Sequence, residues 1–148
     1  SLAEQKAVDV AKEMPEGTVI LGSDTVVAAD GKILGKPKSH EEAYEMIRRL
    51  AGRSHQVYTG VCLVKKGPEG EADTVVSFYD ETDVNVSPMT EKEIREYADS
   101  EEPMDKAGSY AVQGFFARYI DGLKGSYANV MGLPVHLVYQ ELKKLGAL

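Results

Sequence analysis

Cysteine, histidine and tryptophan are scarce in this sequence of 148 residues, which has one cysteine, three histidines and no tryptophan. A single cysteine cannot form an internal disulfide, and it excludes a metal site built from several cysteines. No two of the histidines have metal-ligand spacing. We therefore expect Cys62 to be a buried structural thiol, and His40 and His55 to lie at the surface.

Positive charge and long apolar runs are also in short supply. The chain has 17 Lys and Arg against 24 Asp and Glu, which gives a formal net charge of −7. Duplex nucleic acid and anionic membranes bind through clustered Lys and Arg, so neither is expected as the main partner. No apolar run is long enough to cross a bilayer, and no secretory leader opens the chain. These features predict a cytoplasmic protein, in which a local basic pocket can still bind a small anion.

Three widespread catalytic motifs are missing from the chain. It contains no Walker A sequence, no G-x-G-x-x-G and no G-x-S-x-G. Phosphate-loop nucleotidases, dinucleotide enzymes and α/β-hydrolases therefore lose support. The apolar content of 43% and charged content of 28% are typical of a globular protein. At this length we expect one domain, over residues 1–148, with a single core.

Hydrophobic periodicity predicts alternating helices and strands. Capping boxes, Ser39 with Glu42 and Thr90 with Glu93, mark the starts of two helices, and Asp30-Gly31 marks a hairpin turn. The predicted helices cover residues 1–14, 39–52 and 90–99 and a last segment with Pro134 in its first turn; the predicted strands cover 18–22, 26–29, 33–34, 56–65 and 74–86. This order indicates an α/β fold with a mixed β-sheet flanked by helices.

Two charged residues follow predicted strands. Asp24 comes just beyond the strand at 18–22, which reads as buried on both faces, and open α/β sheets bind ligands at such strand ends. Its carboxylate could bind Mg²⁺ or orient a water, or it could simply cap a turn. Lys36, between Gly35 and Pro37, could hold its ammonium toward the same crevice or be a solvated lysine.

The glycine-rich segment from 102 to 132 contains two further candidates. Lys106 precedes Gly108 and is either a ligand-binding lysine or half of a surface pair with Asp105. Gln113 carries an amide with both a donor and an acceptor, which could read the edge of a nucleobase or serve the fold. The residues alone indicate only an α/β domain with a carboxylate and lysines near a possible crevice.

Several segments, in order and with similar spacing, resemble the Maf family of septum-formation proteins. They are Leu2-Ala-Glu-Gln-Lys6-Ala7, Leu21-Gly-Ser-Asp24-Thr25-Val-Val27, Gly35-Lys-Pro37, Leu50-Ala-Gly-Arg-Ser-His-Gln-Val-Tyr-Thr-Gly60, Pro103-Met-Asp-Lys106-Ala-Gly108, Gln113-Gly114 and Gly125-Ser-Tyr-Ala-Asn-Val-Met-Gly-Leu-Pro134. The resemblance covers nearly the whole chain. It implies a fold related to the inosine triphosphate pyrophosphatases.

The resemblance also implies an activity and roles for particular residues. Family members hydrolyse a nucleoside triphosphate to its monophosphate and pyrophosphate with a divalent cation, Mg²⁺ or Mn²⁺. By motif match, Asp24 would be the proton acceptor and a metal ligand, and Thr25 and Gln113 would take part in base selection. Lys6, Lys36 and Lys106 would neutralise the triphosphate. The pairing of Asp24-Thr25 with Gln113-Gly114 is similar to the branch that prefers dTTP and UTP.

The sequence also departs from the family at its start. Family members open with a strand and a serine-containing loop that bears paired arginines, followed by an acidic residue, and no such segment precedes Ser1. By this comparison the domain is N-terminally truncated, and we expect weaker turnover. The alternative function is a nucleotide-binding or division-related regulatory protein with little or no turnover. A homodimer is expected by resemblance only.

Overall fold

The computed structural model describes residues 2–148, which form a five-stranded sheet with helices around it. The α-helices are α1 (Leu2–Ala11), α2 (His40–Leu50), α3 (Glu91–Ala98), α4 (Tyr127–Met131) and α5 (Val135–Lys144). The strands are β1 (Val19–Ala29), β2 (Lys32–Leu34), β3 (Ser54–Lys65), β4 (Thr74–Val86) and β5 (Ile120–Lys124). Short 3₁₀ helices span Glu102–Asp105, Ala107–Ser109 and Phe115–Tyr119. The α/β class is confirmed.

The strands lie in the order β2-β1-β3-β4-β5, and each neighbouring pair is antiparallel. Within residues 2–148 the sheet is therefore antiparallel throughout, and the expected mixed sheet is not present there. The reason lies in the connections. β1 with β2 and β3 with β4 are hairpins, and α2 carries the chain across β1, so β2 and β3 run parallel without being neighbours.

The first strand differs most from expectation. The predicted strands at 18–22 and 26–29 are one continuous strand, β1, which pairs with β3 from Val19 opposite Lys65 to Ala28 opposite Gln56. Ser23-Asp24-Thr25 has the composition of a turn, but pairing with β3 overrides that local preference. The expected burial of 18–22 on both faces is also wrong, since these residues are half-buried or exposed.

Alternation along β1 divides the sheet into two faces. The face that bears Val27, Val57 and Val84 packs on the main core, and we call it the cavity face. The other face packs on α1 through Ala3, Ala7 and Ala11, which meet Cys62 and Val64, and we call it the α1 face. Cys62 is free and fully buried there, as predicted.

Close packing on the α1 face depends on one glycine. A Cβ at Gly22 would lie 2.6 Å from the carbonyl oxygen of Ala3 and 3.3 Å from the Cβ of Ala7. Any side chain at this position would push α1 away from the sheet, so Gly22 sets the distance between the two.

The predicted helix starts are largely confirmed. Thr90 forms the complete capping box with Glu93, and the Ser39 hydroxyl accepts a hydrogen bond of 3.1 Å from the Glu42 N–H. Pro134 precedes the first turn of α5 as its N-cap, rather than lying inside the turn. None of the helices within residues 2–148 has the length and apolar character needed to cross a bilayer.

Candidate functional site

A cavity of about 180 Å³ opens on the cavity face, between β1 and β3 on one side and the segments around residues 105–113 and 130–131 on the other. Its polar lining residues are Thr25, Asp105, Lys106 and Gln113, and its remaining lining residues are Val27, Val57, Ala107, Tyr110, Ala111, Val112, Val130 and Met131. Thr25 is far in sequence from Lys106 and Gln113, which lie in one short segment. The fold brings these three predicted site residues together.

Gly108 allows the segment that carries Lys106 to lie against β1. Its φ of 71° is in the left-handed region, and a Cβ there would lie 2.8 Å from the Val27 side chain. Its N–H donates a hydrogen bond of 3.1 Å to the Gly35 carbonyl. This bond joins the segment Gly35-Lys36-Pro37 to the segment that carries Lys106, although Lys36 is not among the residues that line the cavity.

The charges of two lysines act on one carboxylate that lines the cavity. The Lys106 ammonium donates a hydrogen bond of 2.7 Å to Asp105. That bond and the charge of Lys106 lower the pKa of Asp105, and the charge of Lys36 acts in the same direction. The predicted surface pair of Asp105 and Lys106 therefore exists, but it lines the cavity.

Tyr110, which lines the cavity, is bonded to a buried histidine. The Tyr110 hydroxyl and His55 Nε2 are joined by a buried hydrogen bond of 2.6 Å. Burial lowers the pKa of His55 to about 4 and raises that of Tyr110, so both rings are neutral at pH 7. The expected surface position of His55 is wrong, because the residue is only 1% exposed. His55 alternates with Val57 and Val61 on the cavity face, and that period of two was the signal in the sequence.

A series of hydrogen bonds fixes Thr25 and the cavity-lining segment that contains Val130 and Met131. The hydroxyl oxygens of Thr25 and Thr59 are 2.9 Å apart, and the Thr59 hydroxyl donates a bond of 3.0 Å to the Asn129 carbonyl. The Asn129 amide nitrogen donates to the Val57 carbonyl at 3.2 Å and to the Thr82 hydroxyl at 3.0 Å. These bonds tie the segment containing Val130 and Met131 to the sheet. Sequence reasoning missed Thr59 and Asn129.

A carboxylate holds the backbone that follows Gln113. Glu102 accepts hydrogen bonds from the N–H groups of Phe115 at 2.8 Å and Phe116 at 3.3 Å. These groups lie at the start of a 3₁₀ helix, where the helix itself offers them no acceptor. A Cβ at Gly114 would collide with this carboxylate. The turn is therefore fixed on one side of Gln113, whose side chain is exposed at the cavity.

Asp24 and Lys6 lie on the other side of the sheet. Asp24 is in the middle of β1, so its predicted position beyond a strand end is wrong, and it pairs with Gly60 on the α1 face. Its half-buried carboxylate makes no hydrogen bond or ion pair with residues 2–148. Lys6 is exposed on α1, which packs on the same face. Neither residue lines the cavity that contains Thr25.

Metal-ligand clusters are lacking in the described part of the chain. No group of three or more His, Cys, Asp or Glu side chains within residues 2–148 is arranged to hold a metal ion. A cation at this site would therefore need ligands from the substrate and from water as well as from the protein.

Comparison with known proteins identifies the family. The chain is 48% identical over 145 residues to the dTTP/UTP pyrophosphatase of Lachnoclostridium phytofermentans, which covers 98% of this chain and 73% of the relative. It is 47% identical over 160 residues to the dTTP/UTP pyrophosphatase of Agathobacter rectalis, with coverages of 98% and 76%. It is 48% identical over 146 residues to the dTTP/UTP pyrophosphatase of Carboxydothermus hydrogenoformans, and the match covers 99% of this chain and 76% of the relative. The model of the Maf-like protein family matches residues 1–145, so the chain belongs to this family.

Proposed function

We propose that the chain hydrolyses pyrimidine nucleoside triphosphates, dTTP and UTP, to the monophosphate and pyrophosphate. The observation that carries this proposal is the meeting of Thr25, Lys106 and Gln113 in one cavity. The first and last match family positions for the base, and Lys106 matches a position for phosphate. The relatives compared above are dTTP/UTP pyrophosphatases, which agrees with this assignment.

The cavity suits a base better than a whole nucleotide. Most of its lining residues are apolar, whereas a triphosphate needs charge-neutralising groups, and Lys106 is the cation among the lining residues. Apolar side chains would contact the ring, while Thr25 and Gln113 would bond its polar edge. Lys106 and Lys36 would then bind phosphate oxygens as point charges.

Asp24 is proposed to act on the phosphate end of the same substrate. Its Cα is about 3.8 Å from that of Thr25, as for any neighbouring residues, although the side chains leave β1 on opposite faces. β2 pairs with β1 only at residues 27–29, so β2 does not cover Asp24 or Thr25. A triphosphate whose base contacts Thr25 could therefore extend toward Asp24 and Lys6.

In the proposed reaction, water attacks the α-phosphorus and its oxygen forms the new P–O bond. The bond from that phosphorus to the bridging oxygen breaks, and pyrophosphate leaves with the electron pair. Asp24 accepts the proton that water loses, because its carboxylate is not committed to another residue in the described chain. The lysines offset the negative charge that resists attack on a polyanion.

A divalent cation fits the proposed site. Mg²⁺ is commonly held by one or two carboxylates together with substrate phosphates and waters. Asp24 can supply one uncommitted carboxylate, so the residues present suit a cation that arrives with the triphosphate. Such a cation would neutralise phosphate charge and polarise the attacked phosphorus. Three points stay predictions: the choice between Mg²⁺ and Mn²⁺, the homodimer and the cytoplasmic location.

The test is product analysis on a panel of triphosphates. With Mg²⁺ or Mn²⁺ present, we expect dTTP and UTP to yield the monophosphate and pyrophosphate faster than ATP or GTP. In water enriched in heavy oxygen, the label should enter the monophosphate. Release of inorganic phosphate and a diphosphate would contradict the proposal. Binding measured in parallel separates the alternative: a regulatory protein would bind nucleotide without releasing pyrophosphate.

A further inference from the structure

Thr59 lies directly behind Thr25 and is completely buried, as is Asn129. The Thr59 hydroxyl oxygen has two oxygen neighbours, the Thr25 hydroxyl at 2.9 Å and the Asn129 carbonyl at 3.0 Å. A threonine hydroxyl has one proton to donate, and a carbonyl can only accept. The Asn129 carbonyl also accepts the Gly132 N–H at 3.0 Å, which leaves it a lone pair for Thr59.

Only one arrangement of protons satisfies both short oxygen contacts. Thr59 must donate to the Asn129 carbonyl, since otherwise two lone pairs would face each other at 3.0 Å. Its own oxygen then accepts the proton of Thr25. The Thr25 proton is therefore directed into the sheet, and its oxygen can offer only lone pairs to the cavity that it lines.

We infer that Thr59 is a positioning residue that fixes Thr25 as a hydrogen-bond acceptor and thereby selects a base with an N–H donor at its ring edge. This inference rests on the proposed function, in which Thr25 contacts the base. Uracil and thymine carry that donor at N3, between two carbonyls. Cytosine has a lone pair at N3, which would face the lone pair of Thr25.

Gln113 complements this polarity. Its amide can rotate to donate its N–H to a base carbonyl, whereas the Thr25 hydroxyl is held by Thr59 and cannot reverse. Uracil and thymine would satisfy both residues. With cytosine, Thr25 and the ring nitrogen would be left unpaired in a partly closed cavity, and an unmade bond of this kind costs more than a made one contributes.

The experiment compares kcat/KM for UTP and CTP, which share the sugar and triphosphate. We expect the unmodified chain to prefer UTP, and Thr59→Val to lower the UTP-to-CTP ratio by about tenfold, because Thr25 is then free to donate. Thr59→Ser retains the hydroxyl and should keep the ratio. Thr82→Val is the matched control. Thr82 is also fully buried and bonded to Asn129, but it does not touch Thr25.

Each outcome decides something. Equal use of UTP and CTP by the unmodified chain, or an unchanged ratio in a folded Thr59→Val variant, would overturn the inference. An equal shift in Thr82→Val would reduce Thr59 to a structural role. If Thr59→Val does not fold, Thr25→Val and Thr25→Ser test the same acceptor oxygen directly. We expect Thr25→Val, which lacks the hydroxyl, to lose more kcat/KM for UTP than for CTP. Thr25→Ser, which retains the hydroxyl, should show no such difference. If no nucleotide is hydrolysed, the proposed function fails, while the ratio of UTP and CTP dissociation constants still tests Thr59.

Discussion

Asp24 and Thr25 are neighbours in the chain but belong to opposite faces of the sheet, and the two faces are built differently. On the cavity face, Thr25 is bonded to Thr59, and Lys106 is paired with Asp105. On the α1 face, the Asp24 carboxylate makes no such bond within residues 2–148. Thr25, assigned to the base, and Lys106, assigned to phosphate, are therefore held in place before a substrate binds, whereas the carboxylate assigned to the reaction is free to accept a proton or a cation.

Asp24→Asn tests the α1 face and should have the largest effect. The change preserves volume but removes the base and the charge, so we expect turnover to fall by roughly 10²-fold or more, with the melting temperature little changed. The readouts are kcat and a dissociation constant for each chain.

A matched control is Asp83→Asn. Asp83 also projects from a strand onto the α1 face, but its carboxylate accepts a hydrogen bond from Gln56. We expect near-normal turnover in this variant. Turnover that is equally low in both variants, or normal in Asp24→Asn, would remove Asp24 from the catalytic role.

The packing of the cavity face is tested by pH. Burial lowers the pKa of His55 from 6.5 to about 4 in the folded chain, so the unfolded chain binds more protons between these values. Stability from the neutral ring is present above pH 6.5 and is lost as the pH falls toward 4. We expect the free energy of unfolding to decrease by about 2 kcal/mol between pH 7 and pH 5 from this group alone.

The measurement is urea unfolding across that range of pH. His55→Phe should lower stability at pH 7 yet flatten its dependence on pH. His136→Gln, which changes an exposed histidine, should leave the dependence as it is. A His55→Phe variant with the original slope would mean that the ring titrates normally and that this end of the cavity admits water.

Charge at the outer end of the cavity is tested by Lys106→Met. Loss of the ammonium that is proposed to bind phosphate should raise KM by about tenfold and weaken the dependence of KM on salt. Lys36→Met should act in the same direction, because its charge reaches Asp105. The control is Lys38→Met, an exposed lysine two residues further on. Equal effects at Lys36 and Lys38 would show that net charge matters and position does not.

Local patterns predicted the elements well but not how they face one another. The capping residues Ser39 and Thr90 and the Asp30-Gly31 turn act over a few residues, so the sequence reveals them. The continuity of β1 depends on ten residue pairs that it forms with β3. Asp24 and Gly60, for example, pair although they are more than thirty residues apart, so no local pattern in the sequence reveals the pairing. Motif resemblance found Asp24 and Thr25 together, but only the register shows that they lie on opposite faces.

The same reasoning explains what was missed in the cavity. Thr59 and Asn129 look unremarkable in sequence, because a buried threonine and asparagine are informative only once their partners are known. Their bonds join β1, β3 and the segment around Asn129, which are 34 and 70 residues apart along the chain. His55 could have been placed inside from its alternation with Val57 and Val61, had that period been given more weight than polarity.

Gln113→Ala should have the smallest effect on activity. It also separates base recognition from the hydrolysis step most clearly. An amide at the ring edge acts through selective hydrogen bonds, so its loss should change the ranking of triphosphates by several-fold while changing the rate on the best one less. The remote Asp24 should be unaffected, and a Gln113→Ala, Asp24→Asn double variant should show the sum of the two free-energy changes. Gln140→Ala, on the exposed side of α5, is the matched control. An unchanged ranking would return Gln113 to a structural role beside Gly114, and strong coupling to Asp24 would mean that the two faces do not act independently on the substrate.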